Sequence, residues 1–207
     1  MAAASALLDV WSALPARNGH FLLESGYHTD LWFSLDLLFV NSSKIAPLVA
    51  RLAERLRGHE CSAVCGSLMG GAFLAQALAT VLDRAFYYSE PITSSRAGLF
   101  AVEYRLPPGL RQRVRGLKVA VVDDVISAGS SVRATAAALS AAGASIAVVG
   151  SLMTLGDVGR THFASLGVPV ESLAHRDLTL WKPADCPLCR DGSPLEDPGA
   201  TDGQVGS

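Results

Sequence analysis

The segment spanning residues 119–131 constrains the fold of this chain more than any other stretch. It begins with four apolar residues, Val119-Ala120-Val121-Val122, which predict a buried strand of a parallel sheet. Two adjacent carboxylates, Asp123 and Asp124, follow, and a short Ser/Gly loop leads into an alanine-rich stretch that predicts a helix beginning near Ser130. Because ligands of open α/β sheets bind beyond the carboxyl ends of the strands, we expect a binding site here.

The loop after the carboxylates suits a phosphate. Small residues let backbone N–H groups approach an anion, and a helix beginning near Ser130 directs its positive end to the same place. Asp123 and Asp124 would repel a phosphate and suit ribose hydroxyls or a divalent cation. Each part alone has a plain structural explanation as a polar turn or a helix start, but the whole ordered string is far more specific.

That string resembles the phosphoribosyl-diphosphate signature of type I phosphoribosyltransferases, most closely that of orotate phosphoribosyltransferase. The resemblance implies that Asp123 and Asp124 hold the ribose hydroxyls of 5-phospho-α-D-ribose 1-diphosphate, directly or through Mg²⁺ as cofactor. It implies that residues 127–131 surround the 5′-phosphate. The implied donor-binding segment comprises Asp123, Asp124, Val125, Ile126, Ser127, Ala128, Gly129, Ser130 and Ser131.

Composition describes an ordinary globular protein. A chain of 207 residues with 50% hydrophobic and 17% charged residues suits one domain with a full core. The net charge of −2 favours neither nucleic acid nor an anionic membrane as a partner. The first ten residues contain no basic side chain, which argues against a signal peptide, and no apolar run approaches bilayer-spanning length. We therefore expect a cytoplasmic protein.

Strand-like and helical runs alternate along the chain, which predicts an α/β fold with a mostly parallel, twisted sheet flanked by helices. The resemblance implies the type I phosphoribosyltransferase fold, with a small hood from the N- and C-terminal segments. We predict one domain over residues 1–190, with residues 1–40 as the N-terminal hood segment, and a flexible tail over residues 191–207. Predicted strands cover 61–65, 85–88, 99–104, 119–122 and 146–152, and predicted helices follow Ser42-Ser43, open at Gly70-Gly71 and cover 132–142.

A second loop lies between the predicted strand at 61–65 and the helix that follows. In the resemblance this is the diphosphate loop, made of Ser67, Leu68, Met69, Gly70 and Gly71. A Gly-Gly pair at a helix start often marks only the boundary between a loop and a helix. Its position one β–α unit before the signature favours the functional interpretation, since both loops lie at the carboxyl ends of strands.

The N-terminal region gives a third match, because residues 19–33 look like the hood segment of the orotate enzyme. There a Ser-Gly turn leads into paired aromatics that pack on the base, and Trp32 and Phe33 occupy that place here. The alternative that Trp32 and Phe33 are ordinary core aromatics has equal weight. The base-binding residues implied by the resemblance are Trp32, Phe33, Ser127 and Thr154.

The chain departs from the family at four cationic positions. Glu24 stands where the family has a lysine, Ser89-Glu90-Pro91 replaces an Arg-Lys cluster, and Thr154 replaces an arginine. No lysine lies between Ser89 and Arg115, where the family carries a catalytic lysine on a mobile loop. Such chemistry calls for cations, since orotate and diphosphate are both anions.

Arg96 lies in the expected lid over residues 89–116 and is the candidate substitute, so we include it with Asp123 and Asp124 as a catalytic residue. The arginines at 111–115 are better explained as a solvated surface run.

Three functions therefore stay open. The first candidate is a transferase that joins the phosphoribosyl group to orotate in pyrimidine nucleotide synthesis. The others are a transferase for another nucleobase, which Glu24 and Thr154 would favour, and a regulatory module that binds phosphoribosyl diphosphate or nucleotides without transfer. The resemblance also implies a homodimer.

The four cysteines raise a metal hypothesis. Cys186 and Cys189 have the two-residue gap of a zinc knuckle, and Cys61 and Cys65 are the remaining thiols. A strand over 61–65 would separate its ends by about 13 Å, so both could not bind one ion. The sequence favours reduced, structural thiols and leaves zinc at Cys186 and Cys189 open.

Overall fold

The computed structural model describes residues 16–35, 38–93 and 98–198. Its strands are β1 (Ala16–Leu22), β2 (His28–Phe33), β3 (Ala63–Ser67), β4 (Ala85–Ile92), β5 (Glu103–Arg105), β6 (Lys118–Ile126), β7 (Ser145–Leu155) and β8 (Val170–Arg176). Its α-helices are α1 (Ser42–Leu56), α2 (Gly70–Leu82), α3 (Pro108–Arg111), α4 (Ser130–Ala141), α5 (Val158–Ser165) and α6 (Pro187–Arg190). None of these helices has the length and apolar character needed to cross a bilayer.

The six strands β3 to β8 form one twisted sheet in the order β5-β4-β3-β6-β7-β8. All neighbouring pairs are parallel except β4 with the edge strand β5. From β3 the chain builds outward through β4 and β5, and it then returns to β6 beside β3 and builds the other side. The strand order thus reverses between β3 and β6, where an α/β sheet opens a crevice for a ligand.

Both faces of the sheet are covered, which explains why β6 is apolar almost throughout. Successive side chains of a strand point to opposite faces. Ala120 and Val122 accordingly pack in the core beneath α1 and α2. Val119 and Val121 pack in a second core with residues of α4 and with Phe163 of α5.

The structure confirms the α/β class and moves several predicted boundaries. The strand predicted at 61–65 is Ala63–Ser67, and the one predicted at 99–104 shortens to Glu103–Arg105. β6 continues through both carboxylates to Ile126, because Asp123, Val125 and Ile126 keep their pairing with β7. Asn41, rather than Ser42-Ser43, caps α1 by accepting a 3.1 Å hydrogen bond from the Ser43 N–H.

The hood consists of the antiparallel pair β1–β2 and two C-terminal segments that join it. His28 and Trp181 exchange backbone hydrogen bonds of 2.8 and 2.9 Å. Glu196 bonds through its backbone to Leu22 and His20, and its carboxylate forms a 2.7 Å ion pair with Arg17. The backbone pairing with β1 thus extends to Glu196, inside the segment predicted as a tail over residues 191–207. The first 15 residues of the predicted hood segment lie outside the described residues.

Candidate active site

The two carboxylates at the end of β6 connect both predicted loops. Asp123 and Asp124 are buried, with 6% and 7% of their surface exposed. Oδ2 of Asp123 accepts hydrogen bonds from Ser131 Oγ at 2.5 Å and from Ser67 Oγ at 3.3 Å. Ser131 lies on the signature loop and Ser67 on the predicted diphosphate loop, so one carboxylate ties the two loops together.

The electrostatics of this pair favour a cation. Burial raises the pKa of Asp123, and the neighbouring Asp124 raises that pKa further, while the hydrogen bonds from Ser131 and the Asp124 N–H oppose the shift. A divalent cation beside the pair would relieve the cost of two buried like charges. The donors are hard carboxylate oxygens, the kind that Mg²⁺ prefers, so Asp123 and Asp124 fit the metal implied by the sequence.

Glycines at the start of α2 make the close approach of the two loops possible. A β-carbon on Gly71 would lie 2.7 Å from Asp123 Oδ1 and 2.8 Å from the Val122 carbonyl oxygen. A β-carbon on Gly70 would overlap the Asp124 carboxylate. The Gly70-Gly71 pair therefore has a packing requirement beyond that of a helix start, because it lets α2 begin directly against the acid pair.

The signature loop after β6 has the backbone of an anion cradle. Gly129 has φ +78°, a left-handed conformation that favours glycine, and it stands at the N-cap of α4. Among the described residues no side chain caps this helix end, so the N–H groups of its first turn are directed at the loop. Gly159 supports the loop from behind by donating a 3.1 Å hydrogen bond to the Ser127 carbonyl.

A cavity lies between the hood and the carboxyl end of the sheet. Its lining comprises Leu23, Glu24, Ser25, Leu31, Trp32, Phe33, Leu35, Val125, Ser127, Gly129, Ser130, Ser131, Leu155 and Leu178. Three of the four predicted base-binding residues, Trp32, Phe33 and Ser127, are thus brought together. Thr154 is not among them: it is 1% exposed, and its hydroxyl shares a 3.0 Å hydrogen bond with His175 Nδ1.

Because side chains alternate along β7, the neighbour of Thr154, Leu155, reaches the cavity in its place.

Glu24, which stands where the family has a lysine, is the charged residue among those that line this cavity. Its carboxylate accepts hydrogen bonds from Tyr104 Oη at 3.1 Å and from Ser130 Oγ at 2.9 Å. Burial and the nearby Glu24 raise the pKa of Tyr104, which keeps its hydroxyl protonated as a donor. No lysine or arginine is among the described residues that line the cavity, so the missing lysine at position 24 is not compensated there.

Within the described residues, the other candidate cations lie away from the cavity lining. Arg96 falls outside the described residues. Arg105 pairs with Glu90 at 2.9 Å, and Arg111, Arg113 and Arg115 are exposed, as expected for a solvated surface run. Ser89, at the first position of the replaced cationic cluster, is buried and shares a 2.6 Å hydrogen bond with Thr135 Oγ1.

The segment before β5 is docked on the hood. The Phe100 N–H donates a 2.9 Å hydrogen bond to the Ser25 carbonyl, and the Phe100 ring meets Tyr27 edge-on with a centroid separation of 5.9 Å. On its other side Phe100 lies beneath the Arg133 guanidinium, 4.0 Å from the ring centroid. Together with the Tyr104–Glu24 bond, these contacts hold residues 100–104 against Ser25 and Glu24 of the cavity lining.

Curated relatives decide the family. An orotate phosphoribosyltransferase of Thermotoga maritima is 34% identical over 186 residues, which cover 88% of this chain and 91% of the relative. The chain belongs to the orotate phosphoribosyltransferase family. An orotate phosphoribosyltransferase of Caldanaerobacter subterraneus is 29% identical over 198 residues, or 94% of this chain and 96% of the relative. No protein-family model matches the chain.

Solved structures agree on the fold. The orotate phosphoribosyltransferase of Aeropyrum pernix superposes with a TM-score of 0.60 at 24% identity, over 81% of this chain and 94% of that one. An adenine phosphoribosyltransferase from Thermoanaerobacter pseudethanolicus gives 0.61 at 16% identity, over 81% and 98%. At these identities the likeness speaks for the fold alone. This likeness confirms the predicted type I phosphoribosyltransferase fold. Membership of the family confirms the resemblance seen in the sequence. It also favours the prediction of a transferase rather than a regulatory module.

Proposed function

We propose that this chain transfers the phosphoribosyl group of 5-phospho-α-D-ribose 1-diphosphate to orotate and releases diphosphate. The observation that carries the proposal is the Asp123–Asp124 pair, held between two helix-opening loops at the strand-order reversal. Relatives of the chain that are named orotate phosphoribosyltransferase support orotate as the base.

The donor would lie across the two loops. The backbone N–H groups at the start of α4 would receive the 5′-phosphate, and residues 67–71 would receive the diphosphate. The carboxylates of Asp123 and Asp124 would accept hydrogen bonds from the ribose hydroxyls and fix the sugar ring. Mg²⁺ bound with the donor would neutralise charge on the departing diphosphate, and Asp123 and Asp124 would hold it, directly or through water.

The base would enter the cavity under the hood. Trp32 and Phe33 offer flat apolar surface for a ring, and Leu155 and Leu178 line the same cavity. Ser127 links this space to the phosphate loop, so a base seated there would face the ribose. The docked segment 100–104 would exclude water from the cationic, oxocarbenium-like sugar that forms when the bond to diphosphate breaks.

Glu24 gives a second candidate, a base that carries an amino group in place of the orotate carboxylate. Its carboxylate lines the cavity, where it would accept a hydrogen bond from an amino donor and would repel an anion. The same donor site would serve either base.

A base screen tests the two candidates. The purified protein is mixed with phosphoribosyl diphosphate, Mg²⁺ and one base at a time, and diphosphate release is measured for orotate, uracil, adenine, guanine and hypoxanthine. We expect release with orotate together with formation of orotidylate. Release with an amino-bearing base and not with orotate would favour the second candidate, and donor binding without release for any base would contradict both.

We also propose that the chain forms a homodimer and works in the cytoplasm, as the family resemblance implies. Size-exclusion chromatography coupled to light scattering tests the first, and subcellular fractionation tests the second.

A further inference from the structure

Four potential metal ligands from distant parts of the chain meet beneath the hood. His20 lies on β1, His28 begins β2, Cys186 immediately precedes α6, and Cys189 lies within α6. Their nearest ring nitrogens and sulfurs all lie within 4.8 Å of one another. His20, His28 and Cys186 are buried, and Cys189 closes the cluster on its outer side.

The separations match the edges of a tetrahedron around one ion. With Zn–S of about 2.3 Å and Zn–N of about 2.0–2.1 Å, tetrahedral edges are about 3.3–3.4 Å between nitrogens and about 3.5–3.6 Å between nitrogen and sulfur. Here His20 Nε2 lies 3.1 Å from His28 Nδ1. Cys186 Sγ and Cys189 Sγ lie 3.4 and 3.7 Å from His20 Nε2, and Cys189 Sγ lies 3.3 Å from His28 Nδ1.

Hydrogen bonding alone does not account for this convergence. Nε2 of His20 faces three partners at once: His28 Nδ1, Cys186 Sγ and Cys189 Sγ. An imidazole nitrogen has one proton or one lone pair in its ring plane and can serve one partner well. A cation at the centre of the four atoms would satisfy all of them together.

The surroundings of His20 prepare it as a ligand. Its other ring nitrogen, Nδ1, lies 2.9 Å from the Ser193 carbonyl oxygen. Since a carbonyl can only accept, Nδ1 carries the proton, and the lone pair of Nε2 is left directed at the cluster. Metal-binding histidines characteristically have this kind of backbone partner.

We propose that His20, His28, Cys186 and Cys189 bind one structural zinc ion that fastens the C-terminal segment to the hood. Two thiolates and two imidazoles in tetrahedral array select zinc over hard cations such as Mg²⁺. Four protein ligands leave no open coordination position, which makes the site structural. The residues it joins are separated by up to 169 positions in the sequence, and the hairpin it holds carries Trp32 and Phe33 of the cavity wall.

This assignment replaces the interpretation of Cys186 and Cys189 as structural thiols. Neither of the other cysteines belongs to the cluster: Cys65 is buried within β3, and Cys61 lies half-buried just before that strand. Cys61 therefore provides a matched control for any cysteine substitution.

The test is the metal content of the full-length protein. The chain is purified without chelators from a zinc-supplemented medium, and its metals are measured by mass spectrometry. We expect one zinc per chain, retained by Cys61→Ser and lost by Cys186→Ser and Cys189→Ser. Absence of bound zinc from the folded wild-type protein, even after incubation with ZnCl₂, would overturn the proposal, as would iron at the site or a Cys186–Cys189 disulfide in the protein as isolated.

A second measurement guards against variants that fail to fold. Removing the metal from the wild-type protein with a strong chelator should lower Tm by about 5 °C or more, and ZnCl₂ should restore it, because the ion binds the folded chain. Cobalt(II) in place of zinc should give the intense visible absorption of a tetrahedral thiolate site. An unchanged Tm together with no such absorption would contradict the proposal.

Discussion

The Ser131 hydroxyl donates a 2.5 Å hydrogen bond to Asp123 Oδ2, so the helix behind the phosphate loop is tied directly to the acid pair. The same oxygen accepts from Ser67 on the other loop. Asp123 thus connects the two loops through its position, and under the proposed function its charge would act on the sugar and the metal.

Replacing both acids with amides separates these two functions. In Asp123→Asn/Asp124→Asn the side-chain carbonyl oxygens can still accept from Ser131 and Ser67, so the fold should remain. Turnover should fall by about 1,000-fold or more, because sugar and metal lose their anionic partners. Tm should not fall by more than about 3 °C, since two buried like charges are removed. Undiminished product formation would contradict the assignment of the acid pair.

The glycine at the start of α2 should be intolerant of a methyl group. Gly71→Ala places a β-carbon against the Val122 carbonyl and the Asp123 carboxylate, and the backbone oxygen cannot move aside cheaply. We expect a net loss of about 1–2 kcal/mol in the free energy of unfolding, or a Tm about 2–8 °C lower, together with loss of activity.

Gly109→Ala is the control, because a β-carbon there meets nothing within 4 Å. In α3 it should leave Tm unchanged or raise it slightly, since alanine is the better helix former. Equal tolerance of alanine at Gly71 and Gly109 would show that the loops around Gly71 pack less tightly than its β-carbon distances indicate.

The charge of Glu24 should oppose orotate. Glu24→Gln keeps an oxygen that accepts from Tyr104 and Ser130 but removes the negative charge from the cavity. Because Glu24 itself is exposed and its charge is screened by solvent, we expect KM for orotate to fall by about two- to fivefold. Steady-state kinetics at varied orotate and saturating donor measure this.

Glu171→Gln provides the matched charge change at the opposite end of the sheet, where Glu171 bonds His59 at 3.0 Å, and its KM should not move. A higher KM for orotate in Glu24→Gln would instead mean that Glu24 binds the base directly.

The Cys65 thiol should be inert in the folded protein. Burial raises its pKa to about 12, so the thiolate makes up only about 1 in 10,000 of the population at pH 8. Native labelling with iodoacetamide followed by peptide mapping should leave Cys65 unmodified, while labelling in guanidinium chloride modifies it. Each unit of pH below 12 reduces the thiolate tenfold, so lowering the pH protects it further. Rapid native labelling at pH 8 would mean that β3 opens locally.

Much of the fold could be read from local patterns. The spacing of Ile45, Leu48, Val49, Leu52 and Leu56 marks the buried face of α1, and all five are buried. The extent of β6 could not be read in this way, because Asp123 and Asp124 have low strand propensity. Their backbone stays in the sheet through pairing with β7, a partner that begins more than 20 residues later.

The two halves of the candidate site differ in the same way in how far the sequence predicts them. The donor half is contiguous in sequence, so Asp123 and residues 127–131 could be recognised from the string itself. The base half is assembled from the turn before β2, from β2 itself and from β7. The resemblance assigns Thr154 to it, one residue away from Leu155, whose side chain reaches the cavity. A one-residue difference along a strand reverses the face that a side chain occupies.

By itself the sequence determined the α/β class and the place of the acid pair between two loops that open helices, because each is a local arrangement of neighbouring residues. Tertiary structure alone decided that Glu24 bonds Tyr104 and Ser130 and that His20 and His28 meet Cys186 and Cys189. The sequence contained the Cys-Pro-Leu-Cys half of that cluster but no sign of its partners. Contacts between residues more than 150 positions apart depend on how the hood packs against the C-terminal segment. Local sequence periodicity does not predict that packing.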